Sequence, residues 1–232
     1  MGELDAYAAT FPKDAAFLLQ RFIDHPHEAG LFYVRKANTE SGRLTGMTLR
    51  HEPHVIGDGV TSISSLIDAE PRLRHKRHLY EACLSEHDLQ LIAPHGEYRR
   101  LTNIASFRVG ARYEDASSLV TPELNTKMDA ICRSMDRFHF GRFDVKFASI
   151  AELQAGNFII MEVNGAGSEA IQFWDPSLRM LHSFKGVFAK QRHLFALGDA
   201  MRRAGHAPVG WRALTRAHLK QQKLIRRYPL SN

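Results

Sequence analysis

Cysteine and long apolar runs are scarce in this sequence, and each scarcity excludes a class of protein. The 232 residues contain two cysteines, Cys83 and Cys132, in unrelated contexts, so neither a disulfide framework nor a cysteine-based metal motif is expected. No apolar run approaches the roughly 20 residues that span a bilayer, and the first residues lack the basic and apolar stretches of a signal peptide. We therefore expect a cytoplasmic protein that does not enter a membrane.

Apolar residues and positive charge are well represented. Hydrophobic residues make up 44% of the chain, which supports a packed core. The net charge of +6 favours anionic partners in general, such as nucleotides and acidic substrates. Part of the excess lies in a C-terminal segment that we interpret as a solvated basic helix, with Lys220, Lys223, Arg226 and Arg227. Because no aromatic residue is interleaved with these charges, nucleic acid is not expected as a partner.

The periodicity of the apolar residues predicts an α+β domain. Strands are predicted over residues 17–23, 31–34, 44–50, 54–56 and 97–104. Helices are predicted after the cap residue Ser62, over residues 72–84, 122–138 and 212–226, and in a mainly helical stretch from 178 to about 205. Hairpins come first, followed by a helix, a further hairpin and more helices. This order predicts an antiparallel sheet backed by helices.

Two segments that alternate polar and apolar residues carry the most informative pattern. Residues 141–147 read Gly-Arg-Phe-Asp-Val-Lys-Phe, and residues 158–167 read Phe-Ile-Ile-Met-Glu-Val-Asn-Gly-Ala-Gly. In a strand, side chains two residues apart share one face. Arg142, Asp144 and Lys146 are therefore expected on one face of the first strand, with the aromatic and aliphatic residues on the other.

A turn between the two segments would bring their polar faces together. If the hairpin centres near Leu153, Asp144 lies opposite Glu162, and Asn164 shares the face of Glu162. Carboxylate and amide oxygens are hard ligands that Mg²⁺ prefers, and Mg²⁺ commonly bridges a protein to substrate phosphates. Arg142 suits a phosphate or an anionic intermediate, because its planar guanidinium donates two parallel hydrogen bonds. Either segment alone is more typical of the solvated face of a half-buried sheet, whereas the two together indicate a metal site.

Gly-Arg-Phe-Asp followed by Met-Glu-Val-Asn-Gly resembles the metal-binding end of the ATP-grasp superfamily. Members of that superfamily include D-alanine–D-alanine ligase, the carboxylate–amine ligases and cyanophycin synthetase. The resemblance implies that Asp144, Glu162 and Asn164 hold Mg²⁺, or Mn²⁺, on ATP. It also implies that Arg142 is catalytic and contacts the acyl phosphate or its oxyanion. The predicted order of elements is similar to that of the C-terminal ATP-grasp subdomain.

The resemblance implies nucleotide-binding residues near the start of the chain. Leu-Gln-Arg-Phe-Ile at residues 19–23 resembles the hinge of the family, where main-chain groups meet adenine. Gln20, Phe22 and Ile23 are the residues assigned to it. Glu28 stands where the family carries a glutamate for the ribose hydroxyls, and a carboxylate is suited to accept both hydrogen bonds. A solvated turn residue is the open alternative for Glu28.

The resemblance also implies residues for the substrate. Arg50 precedes a Val-Ile-Gly-Asp-Gly stretch and is expected to face the nucleotide or the acyl substrate. Arg100 and Asn103 lie in a segment similar to one that lines the acceptor site, with an exposed strand edge of mixed charge as the alternative. Gly165 and Gly167 belong to a stretch that resembles the family's substrate loop, whose backbone N–H groups can cradle an anion.

The sequence departs from the family before the hinge. The lysine for the α-phosphate and the glycine-rich loop over the other phosphates have no counterpart there. We expect a remnant of the first lobe and the hinge over residues 1–23, the C-terminal ATP-grasp subdomain over 24–205, and a basic helical tail over 206–232. A separate chain that supplies the missing lobe is an expected partner, unless the chain is a fragment of a longer ligase.

Three functions remain open from the sequence. The preferred one is an ATP- and Mg²⁺-dependent carboxylate–amine ligase, or the catalytic C-terminal half of one. It would join a small carboxylate to an amine or amino acid through an acyl phosphate. The alternative is a non-catalytic remnant that binds nucleotide. The least favoured is a metal-dependent phosphodiesterase, because that function does not explain the asparagine or the glycine loop.

Overall fold

The computed structural model of the protein describes residues 2–13, 16 and 18–228. The chain divides into two compact units, one formed by residues 2–22 with 201–228 and the other by residues 23–200. The first unit contains no strand among its described residues, and the second contains the sheets. The predicted assignment of residues 1–23, 24–205 and 206–232 to a remnant, a subdomain and a tail stays a prediction.

The described part of the chain contains seven strands and nine α-helices. The strands are β1 His27–Val34, β2 Arg43–His51, β3 His54–Ile56, β4 Tyr98–Arg100, β5 Arg112–Asp115, β6 Phe140–Phe147 and β7 Ile159–Asn164. The helices are α1 Glu3–Ala8, α2 Ile63–Ala69, α3 Pro71–Arg74, α4 Arg77–Glu81, α5 Glu86–Gln90, α6 Pro122–Ser134, α7 Ile150–Gln154, α8 Met180–Arg203 and α9 Trp211–Ile225.

The main sheet has five strands in the order β5-β2-β1-β6-β7, and every neighbouring pair is antiparallel. One face carries the alternating apolar residues, including Phe143, Val145 and Phe147, all essentially inaccessible to solvent. Helix α6 covers this face with Leu124 and Met128, at the helical spacing that the sequence predicts. The predicted α+β class, an antiparallel sheet backed by helices, is confirmed.

A small second layer is inserted between β2 and β5. Strands β3 and β4 pair with each other, and helices α2 to α5 pack against them. Its core contains Ile67, Tyr80 and Leu101. Ser62 caps α2 as predicted, since its hydroxyl accepts a hydrogen bond from the Ser65 N–H at 3.3 Å.

Residues 165–175 and α8 cover part of the other face of the main sheet. Phe32 of β1 and Phe140 of β6 pack edge to face there, with ring centroids 5.2 Å apart. Helix α8 approaches closely because Gly186 has no side chain: a Cβ at this position would overlap the Phe173 ring. Further along the strands, the same face carries the polar residues Arg142, Asp144 and Lys146 of β6.

Four predicted elements differ from the structure, and one of them, the predicted helix over 122–138, ends at Ser134 because Met135 is extended. Residues 18–23 form no strand, because no neighbouring strand pairs with them, while Phe17 lies outside the described residues. The predicted helix over 72–84 is two short helices, since the chain leaves helical geometry at Lys76. The predicted strand over 97–104 is limited to Tyr98–Arg100, because its partner β3 offers only three residues.

Candidate functional site

The register between β6 and β7 confirms the predicted pairing. Asp144 lies directly opposite Glu162, and Arg142 lies opposite Asn164. The register then shifts at a β-bulge between Asp144 and Val145. The connection is the short helix α7, rather than the simple turn that the sequence suggests. Because the bulge follows Asp144, the two polar pairs lie in the part of the β6–β7 ladder that has regular pairing.

Asp144 is the most heavily hydrogen-bonded side chain of this face. Its carboxylate accepts from Arg142 Nε at 2.6 Å and from Arg142 Nη2 at 3.0 Å, a two-point contact. Arg50 Nη1 lies 3.1 Å from the same carboxylate. Only 7% of the Asp144 side chain is exposed. Although burial lowers the pKa of the Arg142 guanidinium, its hydrogen bonds and charge interaction with Asp144 outweigh that effect and raise the pKa.

Glu28 lies on the same face as Asp144 and is held by longer ion pairs. In the sheet it pairs with Arg50 of β2 on one side and Lys146 of β6 on the other. The corresponding ion pairs are 3.8 Å long on both sides. Arg50 is held further by the Ala105 carbonyl, which accepts from its Nε and Nη2 at 2.9 and 2.6 Å. The three cations of this face are matched by three carboxylates, counting Glu162 opposite Asp144, so the cluster is formally neutral.

The open edge of the cluster lies on β7. The Glu162 side chain is exposed and makes no hydrogen bond or ion pair within the described residues. Asn164 Nδ2 lies 3.5 Å from the Asp144 carboxylate. The following loop turns through a hydrogen bond from the Ser168 N–H to the Gly165 carbonyl at 2.9 Å. A Cβ at Gly165 or Gly167 would meet no atom within 4 Å, so this glycine loop borders open space.

The residues predicted to hold a metal have suitable chemistry. Asp144, Glu162 and Asn164 offer oxygen donors from adjacent positions of two paired strands, which suits Mg²⁺. No group of three or more His, Cys, Asp and Glu side chains in the described chain is placed to hold a metal ion. The predicted site is of another kind, two carboxylates and an amide. A metal at Asp144 would share the carboxylate with its arginine contacts, most of which are made to Oδ2.

Four other predicted site residues belong to other parts of the chain. Arg100 is on β4, in the inserted layer, and its Nε pairs with Glu52 at 2.9 Å. Asn103 is exposed in the loop that follows. Gln20 and Phe22 belong to the first unit, and Phe22 is 79% exposed. The acceptor and adenine roles of these residues stay predictions.

The structure adds two residues that sequence analysis did not assign, Glu169 and Gly30, and one unpredicted contact of Ile23. The Ile23 carbonyl, predicted only for adenine, accepts from Lys146 Nζ at 3.2 Å. The Glu169 carbonyl accepts from Arg142 Nη1 at 3.1 Å. Gly30 lies between Thr48 and Asp144 in the ladder, and a Cβ there would approach Arg142 Cδ to 3.1 Å. A glycine inside a strand was the available signal for this close approach.

The comparisons with known proteins give distant structural similarity and no match by sequence. No family model matches the chain, and no protein with a curated description does. A solved structure, the bifunctional glutathione synthetase from Pasteurella multocida, is similar at 15% sequence identity and a TM-score of 0.46. The similarity covers 72% of this chain and 24% of the synthetase, so the chain spans about a quarter of that enzyme. At this level the function has to be judged from the chain's own residues.

Across residues 2–13, 16 and 18–228, no helix is both long enough and apolar enough to cross a bilayer.

Proposed function

We propose that this chain is an ATP- and Mg²⁺-dependent carboxylate–amine ligase of the ATP-grasp type, or the catalytic C-terminal half of one. The observation that carries the proposal is the register of β6 and β7, which sets Asp144 against Glu162 and Arg142 against Asn164. The sequence motifs suggest a ligand set, and the pairing supports it with oxygen donors on neighbouring strands. Amide formation would proceed through phosphorylation of the carboxylate substrate.

Each residue of the cluster has a role in this proposal. Asp144, Glu162 and Asn164 would hold Mg²⁺, which when bound neutralises charge on the phosphates. Arg142 would exchange its contact with Asp144 for the anionic acyl phosphate, because a guanidinium donates to either partner in the same two-point geometry. Glu28 would accept hydrogen bonds from the ribose hydroxyls.

Arg50 is suited to orient the other groups. Its guanidinium contacts both Asp144 and Glu28, and the Ala105 carbonyl fixes its position. Held in this way, it keeps the two carboxylates apart from each other while compensating their charge. We assign it a positioning role next to the nucleotide.

The test is calorimetric titration of Mg²⁺·ATP into the wild-type chain and two variants. Glu162→Gln removes one proposed ligand at an exposed edge and should leave the fold intact. We expect it to weaken metal-dependent ATP binding about tenfold or more, since a charged ligand is lost. Glu123→Gln, an exposed glutamate in the first turn of α6, is the matched control and should change nothing.

Two results would contradict the proposal. One is nucleotide binding that is unchanged when EDTA removes the metal, or that is equal in all three proteins. The other is a folded wild-type chain that binds no Mg²⁺·ATP.

A nucleotide-binding domain without catalysis is the second candidate. The engagement of both Asp144 oxygens by arginine favours it, because metal and anionic substrate compete with these contacts. Release of ADP in the presence of small carboxylates and amines distinguishes the two. Turnover supports the ligase, and binding without turnover supports the second candidate.

A further inference from the structure

A cavity of about 390 Å³ lies on the same sheet face as the carboxylate cluster, further along the strands. Its volume is in the range of small-molecule sites. Strand β2, the short 3-10 helix Ile171–Trp174 and α8 enclose it. None of the residues assigned above to metal, nucleotide or substrate lines it.

A buried lysine points to the chemistry of this cavity. Lys190 of α8 lines it, and only 6% of the Lys190 side chain is exposed. The nearest carboxylate oxygen, Glu169 Oε2, is 4.0 Å from Nζ, which is beyond hydrogen-bond distance. The centre of the Phe140 ring is 6.0 Å away. An ammonium that lines a cavity and has no hydrogen-bonded partner among the described residues attracts an anion into that cavity.

A buried amide lies on the wall of the same cavity. Gln172 is 3% exposed, and its side chain makes no hydrogen bond within the described residues. Gly46 leaves the space for it, because a Cβ there would overlap the Gln172 amide. The amide group thus keeps two donors and an acceptor for a ligand.

The remaining lining residues define the rest of the ligand. Arg43 and His193 also line the cavity, and none of its lining residues in the described chain is acidic. The walls are apolar, formed by Phe32, Val34 and Phe173 among others. A cationic, amide-bearing site with apolar walls suits a molecule that has one anionic end and one apolar part.

We propose that this cavity binds a small organic carboxylate. Its carboxylate pairs with Lys190 and accepts a hydrogen bond from the Gln172 amide, and its apolar part packs between Phe32 and Phe173. The proposal does not depend on the function proposed above, since the two sites share no assigned residue.

The test uses two acids, benzoate and isovalerate, titrated into the ¹⁵N-labelled full chain and followed by NMR. Benzamide and isovaleramide are the uncharged controls. We expect the acids to shift the Gln172 side-chain amide and the Gly46 N–H in a saturable way, with the amides about tenfold weaker or more. Inorganic phosphate, which has no apolar part, should bind more weakly than either acid.

Matched variants identify the residue that recognises the charge. Lys190→Met keeps the length of the side chain and should weaken acid binding about tenfold or more, without changing amide binding. Lys185→Met, on the exposed side of α8, removes the same charge and should change neither. Glu169→Gln should tighten acid binding, because it removes the carboxylate nearest to Lys190. Circular dichroism verifies that each variant is folded.

Three results would overturn the proposal. The first is equal binding of acids and amides. The second is the same loss in both lysine variants. The third is the absence of a saturable shift with every acid, or tighter binding of phosphate than of the acids.

Discussion

Two buried charges on one face of the main sheet have opposite surroundings. Asp144 is met by two arginines at 2.6 to 3.1 Å, whereas the nearest anion to Lys190 is 4.0 Å away. Both side chains are shielded from water to nearly the same degree, 7% and 6% exposed. Asp144 and Lys190 therefore do not differ in burial. The charge of Asp144 is compensated by close partners within the protein, whereas Lys190 has no hydrogen-bonded anion among the described residues, as the proposed carboxylate site requires.

The largest effect is expected from Asp144→Asn. Loss of the carboxylate charge leaves Arg142 and Arg50 largely buried without their anion, so the free energy of unfolding should fall by about 3 kcal/mol. Urea denaturation measures it. Asp68→Asn, which breaks an exposed pair with Arg77, is the control and should cost less than about 1 kcal/mol. Equal costs would remove the distinction between structural and exposed pairs.

Gly46→Ala should have the next largest effect. The new Cβ would displace the buried Gln172 amide, at a cost of about 2 kcal/mol from overpacking. Gly165→Ala meets no atom within 4 Å and should change the free energy of unfolding by less than about 0.5 kcal/mol. Thermal denaturation of both variants measures the difference, and a neutral Gly46→Ala would contradict the tight packing around Gln172.

Lys190→Met tests whether the charge of Lys190 stabilises the folded protein. Because the lysine has no close anion, its replacement by an apolar side chain of similar length should raise the free energy of unfolding by about 1 kcal/mol. Lys185→Met at the surface of α8 should be neutral. A clear loss of stability in Lys190→Met, measured by urea denaturation without ligand, would mean that Lys190 is structural like Asp144.

The smallest effect concerns pH. Burial alone raises the pKa of Asp175, but hydrogen bonds from the Asp115 N–H and from Ser177 outweigh it, so the pKa lies below its ordinary value. A lowered pKa stabilises the fold above the unfolded value of about 3.9, and this contribution is lost as pH falls through the folded value.

Asp175→Asn should therefore lower the free energy of unfolding by about 1 kcal/mol at neutral pH. The deficit should close between about pH 5 and pH 3, measured by urea denaturation at each pH. Asp136→Asn, at an exposed carboxylate, is the control. A deficit that stays constant with pH would show that the charge of Asp175 is unimportant.

Sequence analysis predicted the hairpin well and the short elements poorly. Polar and apolar residues alternate over positions 142–147, and one register then places Asp144 opposite Glu162, so the pairing could be derived. The helix predicted over 72–84 failed because tertiary contacts decide such short segments. Tyr80 is buried there, and its hydroxyl donates to the Val109 carbonyl at 2.7 Å.

The cavity was not predicted, although a signal existed. Lys190 lies among Gly186, Leu194 and Leu197 on the inward side of α8, and a lysine on an apolar helical face invites attention. What the sequence could not supply is the position of Gln172, which depends on the space left by Gly46 of a strand more than a hundred residues earlier.

The sequence by itself determined which face of each strand is apolar and which polar residues share the other face, because strand geometry repeats every two residues. Only the tertiary structure decided which charges meet. Arg50 and Asp144 lie on strands that do not pair with each other, and they touch across β1, where Gly30 contributes no side chain. Strand order and the space above one glycine are properties of the folded sheet, and no local pattern encodes them.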